Sequence, residues 1–114
     1  MSKEENEVLT KMALDARSTK TVILDVGGER FTATRATLLH FPTTRLGKLM
    51  RAASMESVLN LCDEFTPGNP PEYFFDRNPD NFHSILNMYR TGKFHTQGRG
   101  CALVLQRDIE YWYL

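Results

Sequence analysis

Glu72-Tyr73-Phe74-Phe75-Asp76-Arg77-Asn78-Pro79-Asp80-Asn81-Phe82-His83-Ser84-Ile85-Leu86-Asn87-Met88-Tyr89-Arg90-Thr91-Gly92-Lys93-Phe94-His95 decides the reading of this chain. Tyr73 to Phe75 is an aromatic strand that feeds a helix. Asn78 suits an N-cap, Pro79 suits the first helical position because its missing N–H needs no partner there, and Gly92 can end the helix in the left-handed conformation. Between them Phe82, Ile85, Leu86 and Tyr89 recur at the spacing of one buried helical face, with Asn81, Ser84 and Asn87 largely elsewhere. This predicts a core helix closed at both ends.

Working outward, Val22 to Val26 is an apolar strand holding one acid, Asp25, and Gly27-Gly28 suits a two-residue hairpin turn with positive φ. On the return strand Phe31 and Ala33 alternate with Arg30, Thr32 and Thr34, so one face can be buried while the other presents charge and hydroxyls. A helical stretch from Arg35 to His40 stops at Phe41-Pro42, because the residue before a proline is pushed out of helical geometry. A second helix begins after Thr43 and aligns Leu46, Leu49, Met50 and Ala53. Residues 54–71 read as a loop holding a short strand or a helical turn. After the break at Gly98-Arg99-Gly100, a last helix from about Ala102 is expected to bury Leu105, Ile109 and Trp112. Residues 1–20 are charged and mixed in sign; a weak amphipathic helix competes there with a flexible leader, which is the expectation taken.

These residues carry a resemblance. Tyr73 to Arg77, Phe82, Ile85 to Asn87 and Tyr89 to Lys93 resemble the cytoplasmic N-terminal tetramerisation (T1, BTB/POZ-like) domain of voltage-gated potassium channels. Val22 to Gly28 is similar to the opening strand of that family, Thr44-Arg45-Leu46-Gly47-Lys48-Leu49 to its second helix, and Asp108 to Leu114, with its Tyr-Trp pair, to its last helix. The likeness covers about four fifths of the chain. The Arg-Leu-Gly-Lys-Leu run and Cys62-Asp63-Glu64 are nearest the Shab-type subfamily or its electrically silent relatives. The resemblance implies an α/β fold, a small mixed sheet with an N-terminal hairpin packed against about four to five helices, over residues 21–114 after a leader at 1–20. For this family Leu114 is an early end, so a truncated C-terminus is expected. It further implies a homotetramer, or a heterotetramer with related subunits, on the cytoplasmic side of a plasma-membrane channel. The polar strand face then becomes a subunit contact, with Asp25, Arg30, Thr32, Thr34, Arg45, Asp76 and Arg77 as candidate interface residues. The rival reading is a BTB-type adaptor recruiting a ubiquitin ligase or another protein.

Composition agrees with a recognition module. The 114 residues suit one small domain, and the 14 basic and 14 acidic residues cancel, without the basic excess that gripping nucleic acid normally requires. No apolar run approaches the roughly twenty residues that span a bilayer, so the chain is expected to be soluble. With no visible leader, Cys62 and Cys101 are read as cytosolic and reduced.

No catalytic chemistry is expected. Gly27-Gly28 lacks the following Gly-Lys-Ser/Thr of a phosphate-binding loop, and His40, His83 and His95 have no recognisable nucleophile motif beside them. Asp76-Arg77 suggests an ion pair, internal or at an interface. His95 and Cys101 form His-x5-Cys, which resembles the first half of the inter-subunit zinc signature of non-Shaker T1 domains. A structural zinc ion wants four ligands, so the two here make half a site.

Overall fold

The structure, a computed structural model, describes residues 2–95 and 100–114. Four strands, β1 (Thr21–Val26), β2 (Glu29–Thr34), β3 (Glu64–Thr66) and β4 (Glu72–Phe75), form one mixed sheet in the order β2-β1-β4-β3. β1 pairs antiparallel with β2 and parallel with β4, and β3 runs antiparallel to β4. Gly27 and Gly28 turn the hairpin at φ 60° and 101°, and a Cβ on Gly27 would lie 2.2 Å from the Arg77 carbonyl oxygen. Only glycine satisfies both demands.

Six helices are described: α1 (Lys3–Arg17), α2 (Arg35–Leu38), α3 (Arg45–Arg51), α4 (Met55–Leu61), α5 (Phe82–Thr91) and α6 (Ala102–Tyr111). Leu24 registers with both Phe31 and Tyr73, and Val26 with Phe75, which puts these buried side chains on one face of the sheet. Phe82, Ile85, Leu86 and Tyr89 of α5 join the same core, as the spacing predicts. Trp112 closes it, buried with its ring 4.9 Å from Phe75 and 4.8 Å from Phe82.

The flexible leader is corrected: residues 3–17 form α1. Ser2 caps it by accepting from the Glu5 N–H at 3.1 Å, and Glu4 and Glu5 sit at its positive end. Leu9, Met12, Ala13 and Ala16 form its inner stripe, and the helix packs against α4. Arg35 ties down the far end, its Nη2 donating to the Ala16 carbonyl and its Nε to that of Thr19 at 3.1 Å.

Other boundaries move by a few residues. Asn78 accepts from the Asp80 N–H at 2.9 Å and so caps a turn, and α5 starts at Phe82. Gly92 ends it at φ 78°, as expected. The cap of α3 is Thr44 in place of Thr43, and Ala53 is exposed while Ala52 is buried, because the helix stops at Arg51. Residues 54–71 hold both a helix, α4, and a strand, β3. At the C-cap of α6 Trp112 is buried as predicted; within the helix Leu105 and Ile109 are half-buried, and the further inward position belongs to a charged residue, Asp108. No described helix is long and apolar enough to cross a membrane.

Candidate subunit interface

A pleated strand sends alternate residues to opposite faces, so the sheet's second face can be read from its register. Thr21, Ile23 and Asp25 of β1 lie beside Thr34, Thr32 and Arg30 of β2; Glu72 and Phe74 of β4 flank them, with Glu64 and Thr66 of β3 beyond. All ten are exposed or half-buried. The face thus has two apolar side chains, Ile23 and Phe74, within a field of hydroxyls and opposed charges. Across it Arg30 meets Glu72 at 2.5 Å, the Arg30 side chain remaining 61% exposed. At one edge Arg90 donates to the Thr32 carbonyl at 3.0 Å, and His83 lies 3.1 Å from Glu29.

The structure brings together Asp25, Arg30, Thr32 and Thr34 of the candidates. Two of these also hold the fold: Asp25 accepts from the Gly28 N–H at 2.8 Å, and Thr34 caps α2 by accepting from the Thr37 N–H at 3.2 Å.

Arg45 and Arg77 are placed differently. The Arg45 guanidinium donates to the carbonyls of Tyr111 at 2.6 Å and Leu61 at 2.9 Å and to the Tyr113 hydroxyl at 3.1 Å. It also lies over the rings of Tyr111 and Tyr113, at 4.0 and 4.5 Å. This planar fork ties the end of α6 to α3 and α4. Arg77 pairs with Asp108 at 2.8 Å and also lies over the Tyr111 ring, at 4.3 Å. Asn81 donates to the second Asp108 oxygen at 2.9 Å, so the buried carboxylate is met from both sides. The expected ion pair therefore exists, internally, with Asp108 in the place of Asp76. Asp76 is exposed, its own N–H donating to the Asp63 carboxylate at 2.8 Å.

Asp108 escaped the sequence reading, although it had a signal: an acid at the inward spacing of Leu105, Ile109 and Trp112 needs a buried partner.

His95 and Cys101 are both exposed and flank residues outside those described. Cys101 stands at the N-cap of α6, where the N–H groups of Val104 and Leu103 hold its thiol below the ordinary range, although no formed cap hydrogen bond reaches the sulfur. Among the described residues no group of three or more His, Cys, Asp or Glu side chains is placed to hold a metal. The donors present do not close a zinc shell. Cys62 is the opposite case: burial pushes its thiol up to about 12.

The BTB/POZ domain family matches residues 22–114. Similar proteins include the delayed-rectifier potassium channel regulatory subunit KCNS3 of Homo sapiens, 46% identical over 91 residues that are 80% of this chain and 18% of that protein. The regulatory subunit KCNS2 of Mus musculus is 42% identical over 89 residues, 78% of this chain and 18% of its own length. The voltage-gated potassium channel regulatory subunit KCNG1 of Homo sapiens is 40% identical over 91 residues, again 80% and 18%. The chain thus spans less than a fifth of the length of these relatives, which are named as channel subunits and not as enzymes. With its mixed four-stranded sheet, hairpin and helices, the chain belongs to the BTB/POZ domain family, as a domain of the T1 type.

Proposed function

We propose that this chain is the subunit-assembly domain of a voltage-gated potassium channel subunit, placed on the cytoplasmic side of the plasma membrane. It associates as a closed ring of four, with copies of itself or with related subunits, and selects compatible partners. The observation that carries this reading is the open sheet face, where Arg30, Glu72, Asp25 and four threonines surround Ile23 and Phe74. Such a face discriminates more than it adheres, because a mismatched partner leaves a desolvated charge or hydroxyl unpaired. Head-to-tail contacts between unlike surfaces close into a cyclic oligomer. The adaptor reading is not favoured, since the relatives are channel regulatory subunits. The mechanism is recognition, without a catalytic step.

The same proposal gives His95 and Cys101 to a zinc ion shared between subunits, the other two ligands coming from residues outside this chain. Cys101 is the member offered across the interface.

Light scattering over a wide concentration range, on the chain alone and co-expressed with the T1 domain of a related channel subunit, tests the assembly. Four copies per particle are expected in at least one preparation. A monomer throughout both series overturns the proposal. For the metal, Cys101→Ala in a longer chain that carries the second half of the zinc signature, which in non-Shaker T1 domains is an adjacent Cys-Cys pair, is expected to lower zinc content and tetramer mass together, while the monomer stays folded. Zinc near one per subunit after that replacement overturns the bridging role.

A further inference from the structure

We propose that Tyr113 is a site of tyrosine phosphorylation whose phosphate is received by Arg45 and Lys48. Of the chain's four tyrosines, Tyr73 and Tyr89 are buried and Tyr111 is half-buried with two guanidinium groups at its ring, whereas Tyr113 is 45% exposed. Its hydroxyl lies on the surface side of α3, 3.1 Å from Arg45 Nη2, and the Lys48 ammonium stands 5.0 Å from its ring centre. Arg45 and Lys48 are three residues apart on one helix, so their cationic ends reach the same side.

The backbone at this residue is strained. Tyr113 follows the last turn of α6 at φ 59°, a left-handed conformation that costs a bulky residue of order 1 kcal/mol and is held by its surroundings. Its N–H donates to the Glu110 carbonyl at 3.1 Å, its hydroxyl meets Arg45, and its ring meets the two cations. A kinase needs the acceptor tyrosine in an extended segment, so modification requires release of these contacts and of the neighbouring Leu114, whose N–H donates to the Ile109 carbonyl at 3.0 Å and whose side chain packs on the core.

In the reaction, a protein tyrosine kinase moves the γ-phosphoryl group of magnesium-bound ATP to Tyr113 Oη. A P–O bond forms to the phenol oxygen, the bond to the β-phosphate oxygen breaks, ADP leaves, and the phenolic proton passes to the kinase's base. The product adds about two negative charges and three acceptor oxygens beside Arg45 Nη2 and Lys48 Nζ. Charge-assisted hydrogen bonds replace one neutral acceptor, which ties the end of α6 more firmly to α3.

The experiment treats the folded chain with a broad-specificity tyrosine kinase and ATP, maps the modified residue by mass spectrometry, and follows melting. Tyr113 is expected to carry at least about tenfold more phosphate than the other tyrosines together, and Tyr113→Phe to lose that label. Phosphorylation is expected to raise Tm by about 3–4 °C in the wild type and by about half of that in Lys48→Ala, whose exposed side chain is dispensable for folding. A folded chain left unmodified at Tyr113, or labelled mainly elsewhere, overturns the site. A Tm unchanged or lowered by the modification, or a rise in Lys48→Ala equal to the wild type, overturns the receiver.

Discussion

Arg30 and Arg77 each meet a carboxylate, at 2.5 and 2.8 Å, yet the two pairs occupy opposite environments. The Arg30 and Glu72 side chains are 61% and 27% exposed, those of Arg77 and Asp108 30% and 6%. Water and salt already solvate the first pair, so its formation contributes about 0–1 kcal/mol. Asp108 has left water behind, and its charge is tolerable because Arg77 and Asn81 satisfy both oxygens. The shorter contact is therefore the less important one for the fold. What the exposed pair offers is a charge pattern on a face that a second chain can read.

The largest effect separates the two pairs directly. Asp108→Ala leaves Arg77, whose Nε is already buried with no hydrogen-bond partner among the described residues, at the Tyr111 ring with its counter-charge removed, and it leaves Asn81 without its acceptor. A loss of about 3 kcal/mol is expected, reduced somewhat by the solvent that reaches Arg77. In urea the unfolding midpoint falls with an unchanged slope. Arg77→Ala is expected to cost nearly as much, because Asp108 then stays buried with Asn81 alone. A midpoint within experimental error of wild type in either variant would show that the network is no more than a solvated surface pair.

A smaller effect comes from raising pH, and it distinguishes buried charge from buried neutral acid. Desolvation pushes the Cys62 thiol and the Tyr89 phenol each up to about 12, from ordinary values of 9.0 and 10.0. A group whose folded-state pKa is raised contributes stability that is complete below its unfolded pKa and lost as pH climbs toward the folded one. Stability is expected to be flat through neutrality and to fall from about pH 9, by about 3 kcal/mol near pH 10.5. Cys62→Ala is expected to delay the onset by roughly one unit, to where Tyr89 begins. An onset unmoved in that variant would assign the alkaline loss elsewhere.

The same contrast marks what the sequence displays and what it hides. Apolar periodicity made α5 visible through Phe82, Ile85, Leu86 and Tyr89, and the Gly27-Gly28 step made the hairpin visible, because both are local patterns. Asp108, Arg45 and Arg77 are long-range facts. Arg77 reaches 31 residues ahead to Asp108, and Arg45 reaches 66 ahead to the Tyr111 carbonyl; no local pattern names such partners. Helix α1 fails for a related reason: its stripe is two alanines and two half-buried residues, too weak to stand alone until α4 and Arg35 hold it. The polar alternation of β2 was legible as a face and not as a contact, since a strand face turned to water and one turned to a partner share the same spacing.

The smallest effect on the fold is expected to be the largest on assembly. Arg30→Ala removes a side chain that is mostly in solvent, breaks one exposed pair and leaves Glu72 half-buried beside Ile23 in the register. The melting transition should move by no more than about 0.5 kcal/mol, and that difference should vanish in high salt, where exposed charges are screened. The proposed tetramer should weaken nonetheless, because Glu72 then meets the neighbouring subunit without its counter-charge and is desolvated alone. Arg30→Glu sharpens the test: it sets two acids side by side on the open face and is expected to abolish association while the urea midpoint stays within about 1 kcal/mol of wild type. Light scattering and urea unfolding on the same samples separate the two quantities. Should the midpoint fall as far as in Asp108→Ala, Arg30 belongs to the fold. Should the tetramer keep its mass and affinity in Arg30→Glu, the open sheet face is not where the subunits meet.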